Sequence, residues 1–269
     1  MNSQMEEPLR IMIAMNASYQ CGRLVEIAAG FAARQHAELS AIFIEDINLL
    51  NLTHFPFTKE IDRLSAVERD FDGLGIAKTF QDRVEQARYL LSKVSERQRT
   101  SVSFKVVRGH FFTEALAAIT ERDVLFFGRE TSLKGAKIHS RQGLHSQKKT
   151  KTVTERPVCV VFDGSPAAQR ALFMGQSLAA SEQKPLVVIL AVKGIEQSGA
   201  LRNEALQQLG NAPSLRFVAM PLANLEKLLN QIKTEGCSLV VVNRDICQES
   251  DETAKLLLEG ANCPLVMVA

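Results

Sequence analysis

Polar residues follow two apolar segments of the chain and could contact a small ligand there. Asn16-Ala17-Ser18 comes directly after the apolar segment 11–15, and Asp163-Gly164-Ser165 comes directly after 158–162. A tight turn followed by a serine N-cap, which any strand–turn–helix unit needs, explains the same residues, and we favour that structural explanation.

Histidines are the other candidates for chemistry. His110 follows a predicted strand, at the edge of a parallel sheet where ligands bind. We can name no catalytic partner beside it and expect it to cap or pack against a helix. His139 and His145 have no cysteine or paired carboxylate near them, so we predict no metal site. Since no nucleophile motif or carboxylate pair stands out, we predict no catalytic residue and a protein that is not an enzyme.

The segment before the second turn is strongly basic. Residues 129–156 contain eight lysines and arginines against two glutamates, in a chain with a formal net charge of +2. Such a stretch has too little apolar area to order itself easily. We expect a solvated basic linker over 131–156. It could also hold phosphate groups, but no aromatic residues alternate with its charges to stack on bases, so nucleic acid is not the expected partner.

Both turns belong to a repeat that spans most of the chain. Segment 11–18 reappears as 158–165, with Asp163 standing 147 positions after Asn16. Each copy runs from an apolar strand through the turn into an amphipathic helix and a second strand. A late strand also recurs, at 123–127 and at 238–242. Strands and helices that alternate at these lengths predict parallel sheets with helices on both faces.

The two copies differ in their number of strands. The second copy supplies five predicted strands, at 158–162, 186–192, 215–219, 238–242 and 264–268, whereas the first supplies four. Strand 157–162 also falls where a fifth strand of the first copy would lie, but its turn and helix follow directly, so we assign it to the second. We therefore predict an α/β protein of two tandem, open, parallel-sheet (doubly wound) domains, at 1–130 and 157–269. The first domain would lack its fifth strand.

The first domain also carries an insertion, about 57–99, that we predict to be helical. Its apolar residues recur at spacings of three and four: Phe80, Val84, Ala87, Leu91 and Val94. This stripe indicates a helix that packs against the sheet of its own domain. The alternative is that the stripe forms an interface with a partner or a second copy of the chain. We expect Gly73 and Gly75 to divide the insertion into two helices.

Composition excludes several classes of protein. Hydrophobic residues make up 46% and charged residues 23%, which is typical of a soluble globular chain. The longest strongly apolar run, 186–192, is far shorter than the roughly 20 residues that span a bilayer. The polar N-terminus is unlike a secretory signal. The five cysteines, which are Cys21, Cys159, Cys237, Cys247 and Cys263, contain no C-x-x-C pair. We expect them to be reduced and the protein to be cytoplasmic, without membrane association.

The doubled turns, the repeated late strand and the closing segment 263–268 resemble the universal stress protein (UspA-like) family in its tandem, two-domain form. The resemblance covers nearly the whole chain outside 57–99 and the linker. It implies an open, five-stranded, parallel α/β sheet in each domain. It also implies an internal pseudo-dimer, in a family whose members are often dimeric.

Some members of that family bind ATP, and the resemblance implies where they do so. They use an aspartate after the first strand, near the adenine, and a G-x-x-G-(nine residues)-G-[S/T] loop after the fourth. Asp163 retains the aspartate in the second domain, whereas Asn16 replaces it in the first. If a nucleotide binds, the resemblance points to Asp163, Gly164, Ser165, Asn16 and Gly128.

The loop glycines are largely missing, however. In the first domain Gly128 is present, but Thr131 and Arg141 stand where the next two glycines belong. In the second domain, 243–246 contains no glycine. Glycines matter here because they let backbone N–H groups approach phosphates closely.

We therefore expect a non-catalytic regulatory or interaction module of the stress response, with a degenerate ATP-binding loop and no cofactor. A protein partner or self-association is the expected interaction, and the sequence identifies no small-molecule ligand. The alternative is a stress sensor that binds ATP or AMP through the first domain, with Gly128 and the cationic linker holding the phosphates.

Overall fold

The structure is a computed structural model. It describes residues 9–17, 22–52, 59–61, 68–70, 73–128, 156–192, 194, 196–210, 214–221, 225–247, 251–261 and 263–269. The chain divides into two compact units, 1–128 and 129–269, called unit one and unit two below. Nearly all of the predicted basic linker lies outside the described residues, as do His139 and His145.

Unit one alternates strands and helices as its sequence predicts. In chain order it contains β1 (Arg10–Met15), α1 (Gly22–Gln35), β2 (Glu38–Asp46), α2 (Ile47–Asn51), β3 (Lys59–Ile61), β4 (Glu68–Asp70), α3 (Gly73–Gln98), β5 (Val102–Gly109), α4 (Phe111–Ala117) and β6 (Asp123–Phe127). Strands β5, β2, β1 and β6 are parallel and lie side by side in that order. Ala14 lies opposite Ile42 on one side and Phe127 on the other. The carboxyl ends of β1 and β6 therefore meet at one edge of the sheet.

The insertion differs from its prediction of two helices divided at Gly73 and Gly75. Strands β3 and β4 pair antiparallel, and α3 then begins at Gly73 and continues to Gln98 without a break. A glycine inside a helix costs about 1 kcal/mol relative to alanine. Gly73 and Gly75, however, lie in the first turn of this 26-residue helix, so they mark its beginning, and the residues before them form a strand pair instead of a helix.

The apolar stripe of α3 packs within unit one. Phe80, Leu91 and Val94 are buried, and α3 lies against α1, β2 and β5. A helix laid on its own sheet is therefore the right explanation of the stripe. Since α3 covers the core of unit one, the insertion is not a module that could be removed without exposing apolar surface.

Unit two contains β7 (Val158–Phe162), α5 (Pro166–Ser181), β8 (Leu186–Val192), α6 (Gln197–Leu209), β9 (Leu215–Pro221), α7 (Leu225–Glu235), β10 (Leu239–Asn243), a 3₁₀ helix (Arg244–Cys247), α8 (Asp251–Ala261) and β11 (Leu265–Val268). The strands are parallel in the order β11, β10, β7, β8 and β9. Strand β7 pairs with β10 and with β8, as its assignment to the second copy predicts. Every residue of β7, β8, β10 and β11 is buried, as continuous apolar runs in parallel sheets require.

The expectation that all cysteines are reduced is wrong for one pair. Cys159 in β7 and Cys237 before β10 form a disulfide, with their Cα atoms 6.0 Å apart. Because β7 and β10 are neighbouring strands, residues 78 positions apart in sequence are adjacent in space. Cys263 is free and buried, and burial raises the pKa of its thiol to about 12. Because disulfides are rare in the cytosol, the cysteines no longer support a cytoplasmic location, which stays a prediction.

Within the described parts of the chain, no helix combines the length and the apolarity needed to cross a membrane.

Candidate functional site

The turn after β7 is held by its own hydrogen bonds. Asp163 Oδ1 accepts a hydrogen bond from the Ser165 N–H at 2.9 Å. Gly164 between them has φ of 82°, a conformation that glycine adopts without strain. Ser165 Oγ accepts from the Ala168 N–H at 3.1 Å, and Pro166 begins α5. The geometry is that of a tight turn followed by an N-cap.

Strand β10 adds a further polar side chain to this turn. Asn243 ends β10, the neighbour of β7, and its side chain is fully buried. Its Nδ2 donates to Ser165 Oγ at 3.1 Å, and its Oδ1 accepts from the Ile246 N–H at 3.2 Å. Both ends of the amide are thus engaged within unit two, where they join the β7–α5 turn to the 3₁₀ helix after β10.

Helix α6 covers the same turn. A Cβ added to Gly164 would lie 2.6 Å from Leu201 Cδ2 and 3.5 Å from Glu204 Oε2. Glu204 is held in place because Gln169 Nε2 of α5 donates to its Oε1 at 2.8 Å. The carboxyl edge of an open parallel sheet is where ligands of such folds bind. In unit two, side chains of α6 lie over that edge at Gly164.

The charges at this edge are unfavourable for a phosphate. Asp163 and Glu204 flank Gly164, and Asp245 is exposed in the 3₁₀ helix that follows Asn243. Carboxylates accept hydrogen bonds but cannot donate them, and they repel another anion. Near this edge, Asp163, Glu204 and Asp245 outnumber the one basic residue of the 3₁₀ helix, Arg244.

Unit one brings its two predicted site residues to a common edge. Asn16 and Gly128 directly follow the adjacent strands β1 and β6, and both are buried. Phe127 packs beside them against Phe111 and Phe112 of α4, with ring centroids 6.1 and 5.8 Å away. The loop after Gly128 lies outside the described residues.

His110 lies at a helix cap, which is one of its two expected roles, but its side chain takes no part in the capping. It occupies the N-cap position of α4, where its backbone oxygen accepts from the Glu114 N–H at 3.0 Å. Its imidazole is exposed and makes no capping hydrogen bond. Among the residues that the structure describes, no group of three or more His, Cys, Asp and Glu side chains is placed to hold a metal ion.

Asp123, at the opposite (amino) edge of the unit-one sheet, has a shifted pKa. Burial raises the pKa of Asp123, but hydrogen bonds from Arg10 and Thr120 outweigh burial and hold it below its usual value. Arg10 Nε donates to Asp123 Oδ1 at 3.0 Å, while the Thr120 N–H and Oγ1 donate to Oδ2 at 2.6 and 3.0 Å. This cluster joins the first residue of β1 to the first residue of β6, so it supports the sheet.

Sequence reasoning finds the turn but misses the residues that cover it. Leu201 and Glu204 lie in the next strand–helix unit, and their spacing gives no sign that they reach back over Gly164. A signal did exist for Asn243. An amide that ends a fully buried apolar strand must find hydrogen-bond partners inside the protein.

Comparison with known proteins supports the fold. No protein-family model and no curated protein sequence matches the chain. A universal stress protein from Archaeoglobus fulgidus DSM 4304 is similar over 96% of this chain and 95% of its own, with 9% identity and a TM-score of 0.52. A second Archaeoglobus fulgidus universal stress protein, in complex with dAMP, covers 43% of this chain and 99% of its own at 14% identity and a TM-score of 0.36. The cytoplasmic domain of a prokaryotic cation chloride cotransporter covers 97% of this chain and 94% of its own at 10% identity and a TM-score of 0.45.

The first of these comparisons carries the fold assignment. It extends over nearly the full length of both chains, which agrees with the two units of parallel strands described above. The chain therefore has a universal-stress-protein-like α/β fold.

Proposed function

We propose that the protein is a non-catalytic regulatory or interaction module of the stress response whose ATP-binding loop is degenerate. One observation carries the proposal. Leu201 lies over Gly164, while the polar groups of the turn hydrogen-bond one another and Asn243. This arrangement supports the proposal, because Leu201 would have to move before a nucleotide could approach the Gly164 backbone closely. The stress-response role rests on the fold and on the sequence resemblance.

Titration calorimetry with ATP and with AMP tests the absence of nucleotide binding. We expect no saturable heat for either ligand, and saturable binding at micromolar or tighter affinity would overturn the proposal. If such binding occurs, Asn16→Ala and Asp163→Ala indicate which unit holds the nucleotide. A parallel assay of phosphate release from ATP should give the rate of the buffer alone.

The interaction part of the proposal is a protein partner or self-association in the cytoplasm. Sedimentation equilibrium over a wide range of protein concentration measures self-association directly. We expect a concentration-dependent rise in average mass. A single monomer mass at all concentrations would remove self-association and leave a different protein as the partner.

A second candidate function is adenine-nucleotide sensing through unit one. It is favoured by the positions of Asn16 and Gly128, which are both buried and directly follow adjacent parallel strands. In this case the basic linker would supply cations for the phosphates. Lys148→Glu combined with Lys149→Glu should then weaken ATP binding, and so should moderate salt. The matched control is Lys233→Glu with Lys255→Glu, which makes the same charge change on exposed helix positions of unit two. Equal affinities in the two double variants would contradict this candidate.

A further inference from the structure

Unit two has a cavity at the amino edge of its sheet, the edge opposite to Asp163 and Asn243. Its volume is about 410 Å³, and it is lined by Pro157, Pro185, Val187, Arg216, Thr234 and Glu235 among others. Small-molecule sites in proteins commonly measure roughly 300 to 1,000 Å³. The cavity lies within that size range and is open to solvent, and its place in the fold separates it from the carboxyl edge of the sheet.

The cavity combines an ion pair with an apolar wall. Glu235 is buried, and its Oε1 accepts from Gln231 Nε2 at 2.8 Å while its Oε2 pairs with Arg216. The carboxylate charge of Glu235 is thus already neutralised. Pro157, Pro185 and Val187 supply apolar surface next to this pair.

Arg216 has hydrogen-bonding capacity beyond this ion pair. It contacts Glu235 through Nη2, and its side chain is 53% exposed. A guanidinium carries five N–H donors in a planar fork, which suits carboxylates and other planar anions. One edge of Arg216 therefore holds Glu235, and the rest of the fork can receive a second anionic group.

A covalent bond holds the walls of the cavity together. Cys159 lies two residues after Pro157 and Cys237 two residues after Glu235, and these cysteines form the disulfide. Ser238 reinforces the junction, since its N–H and its Oγ donate to the Pro157 oxygen at 2.8 and 3.1 Å. A site whose walls are fixed before binding loses less conformational entropy when a ligand enters.

We propose that this amino-edge cavity is a binding site for a small amphipathic carboxylate. The carboxylate contacts the outer edge of the Arg216 guanidinium, and the apolar body of the ligand lies against Pro157, Pro185 and Val187. The proposal is independent of nucleotide binding, because it concerns the other edge of the sheet and different residues.

The probe for the test is 2-naphthoate, a fluorescent aromatic carboxylate. The chain contains no tryptophan, so naphthalene emission can be followed without interference from that residue. We expect saturable binding of one 2-naphthoate per chain, and at least tenfold weaker binding of the neutral 2-naphthamide. Arg216→Gln should lower the affinity for 2-naphthoate at least tenfold and bring it level with that for the amide. The control Arg97→Gln, an exposed arginine of α3, should bind as the wild type does.

A second variant guards against misfolding of Arg216→Gln. Thr234 is exposed at the wall of the cavity, so Thr234→Phe should block the cavity while far-UV circular dichroism shows an intact fold. Binding should be lost in this variant. The proposal is overturned if the wild type shows no saturable binding, if the amide or the cationic 2-naphthylmethylamine binds as well as 2-naphthoate, or if Thr234→Phe binds as the wild type does.

Discussion

Asn243 connects the end of one buried strand to the turn after its neighbour. Its replacement by leucine keeps the branched shape of the side chain but leaves the Ser165 hydroxyl and the Ile246 N–H without this partner. Leaving a buried hydrogen-bonding group unsatisfied costs about 1 to 3 kcal/mol. We expect Asn243→Leu to lower the free energy of unfolding by about that amount in urea denaturation. Asn203→Ala, on the exposed face of α6, should leave it nearly unchanged, and equal losses in the two variants would contradict this role.

Asp123 makes the stability of unit one depend on pH. Its pKa is lower in the folded chain than in the unfolded one, because Arg10 and Thr120 donate to its carboxylate. The stabilisation is fully present above the pKa of an unfolded aspartate, about 3.9, and it is lost as the pH falls through the lower, folded pKa.

The measurement is the free energy of unfolding in urea at neutral pH and at several acidic values. Asp123→Asn should be less stable than the wild type at neutral pH, and its stability should fall less steeply in acid. Asp82→Asn, at an exposed position of α3, should keep the acid dependence of the wild type. If Asp123→Asn keeps the acid dependence of the wild type, folding does not lower the pKa of Asp123.

At the scale of the element, α5 lies unusually close to the sheet at one glycine. A Cβ on Gly175 would be 2.1 Å from Val160 Cγ2 of β7, so α5 would have to move away from the sheet. Overpacking of this kind costs about 1 to 3 kcal/mol. We expect Gly175→Ala to be destabilised by that amount, and Val160→Ala in the same chain to recover part of the loss.

The control for this prediction is a glycine with open space around it. Gly199 lies in α6 with nothing within 4 Å of the added Cβ. Gly199→Ala should therefore be neutral or gain up to about 1 kcal/mol from helix propensity. A destabilisation of Gly175→Ala no larger than that of Gly199→Ala would show that α5 does not approach β7 so closely.

Helix α3 is part of the core of unit one, although it arises from an insertion. On α3 itself, the Leu91 side chain is buried, whereas the Tyr89 side chain is 58% exposed. Truncating a buried leucine to alanine costs about 2 to 5 kcal/mol. We expect this loss in Leu91→Ala and a loss within about 0.5 kcal/mol in Tyr89→Ala, both from urea unfolding. Similar small losses in both variants would mean that α3 is a removable appendage.

The elements that the sequence predicts well are those whose pattern is set by burial. The run 186–192 is apolar throughout because β8 is buried on both faces, and Ser165-Pro166 marks the start of α5 because an N-cap and a first-turn proline belong there. Gly73 and Gly75 do mark a boundary, but the segment before them forms the β3–β4 pair instead of a helix, and its sequence did not indicate that pairing. Leu201 and the Cys159–Cys237 bond are long-range features, so they follow from the order of strands and not from spacing along the chain.

For the molecule as a whole, the disulfide joins parts of unit two that are 78 positions apart. By the chain-entropy estimate, closing a loop of that length in the unfolded state stabilises the fold by about 4 kcal/mol. We expect reductant to lower the free energy of unfolding of the wild type by an amount of that order. The same reductant should leave Cys159→Ala with Cys237→Ala unchanged. Intact-mass measurement before reduction should show the loss of two thiol hydrogens, and a fully reduced wild type would contradict the bond.

We propose that the chain is a tandem pair of parallel α/β units in which side chains of unit two itself take the place of a nucleotide at the carboxyl edge of its sheet. The most direct measurement is a crystal structure of the full chain grown with ATP in large excess. The account predicts Leu201 over Gly164, Asn243 bonded to Ser165, and no nucleotide beside either turn. Well-defined density for ATP next to Asp163, or next to Asn16 and Gly128, would contradict it.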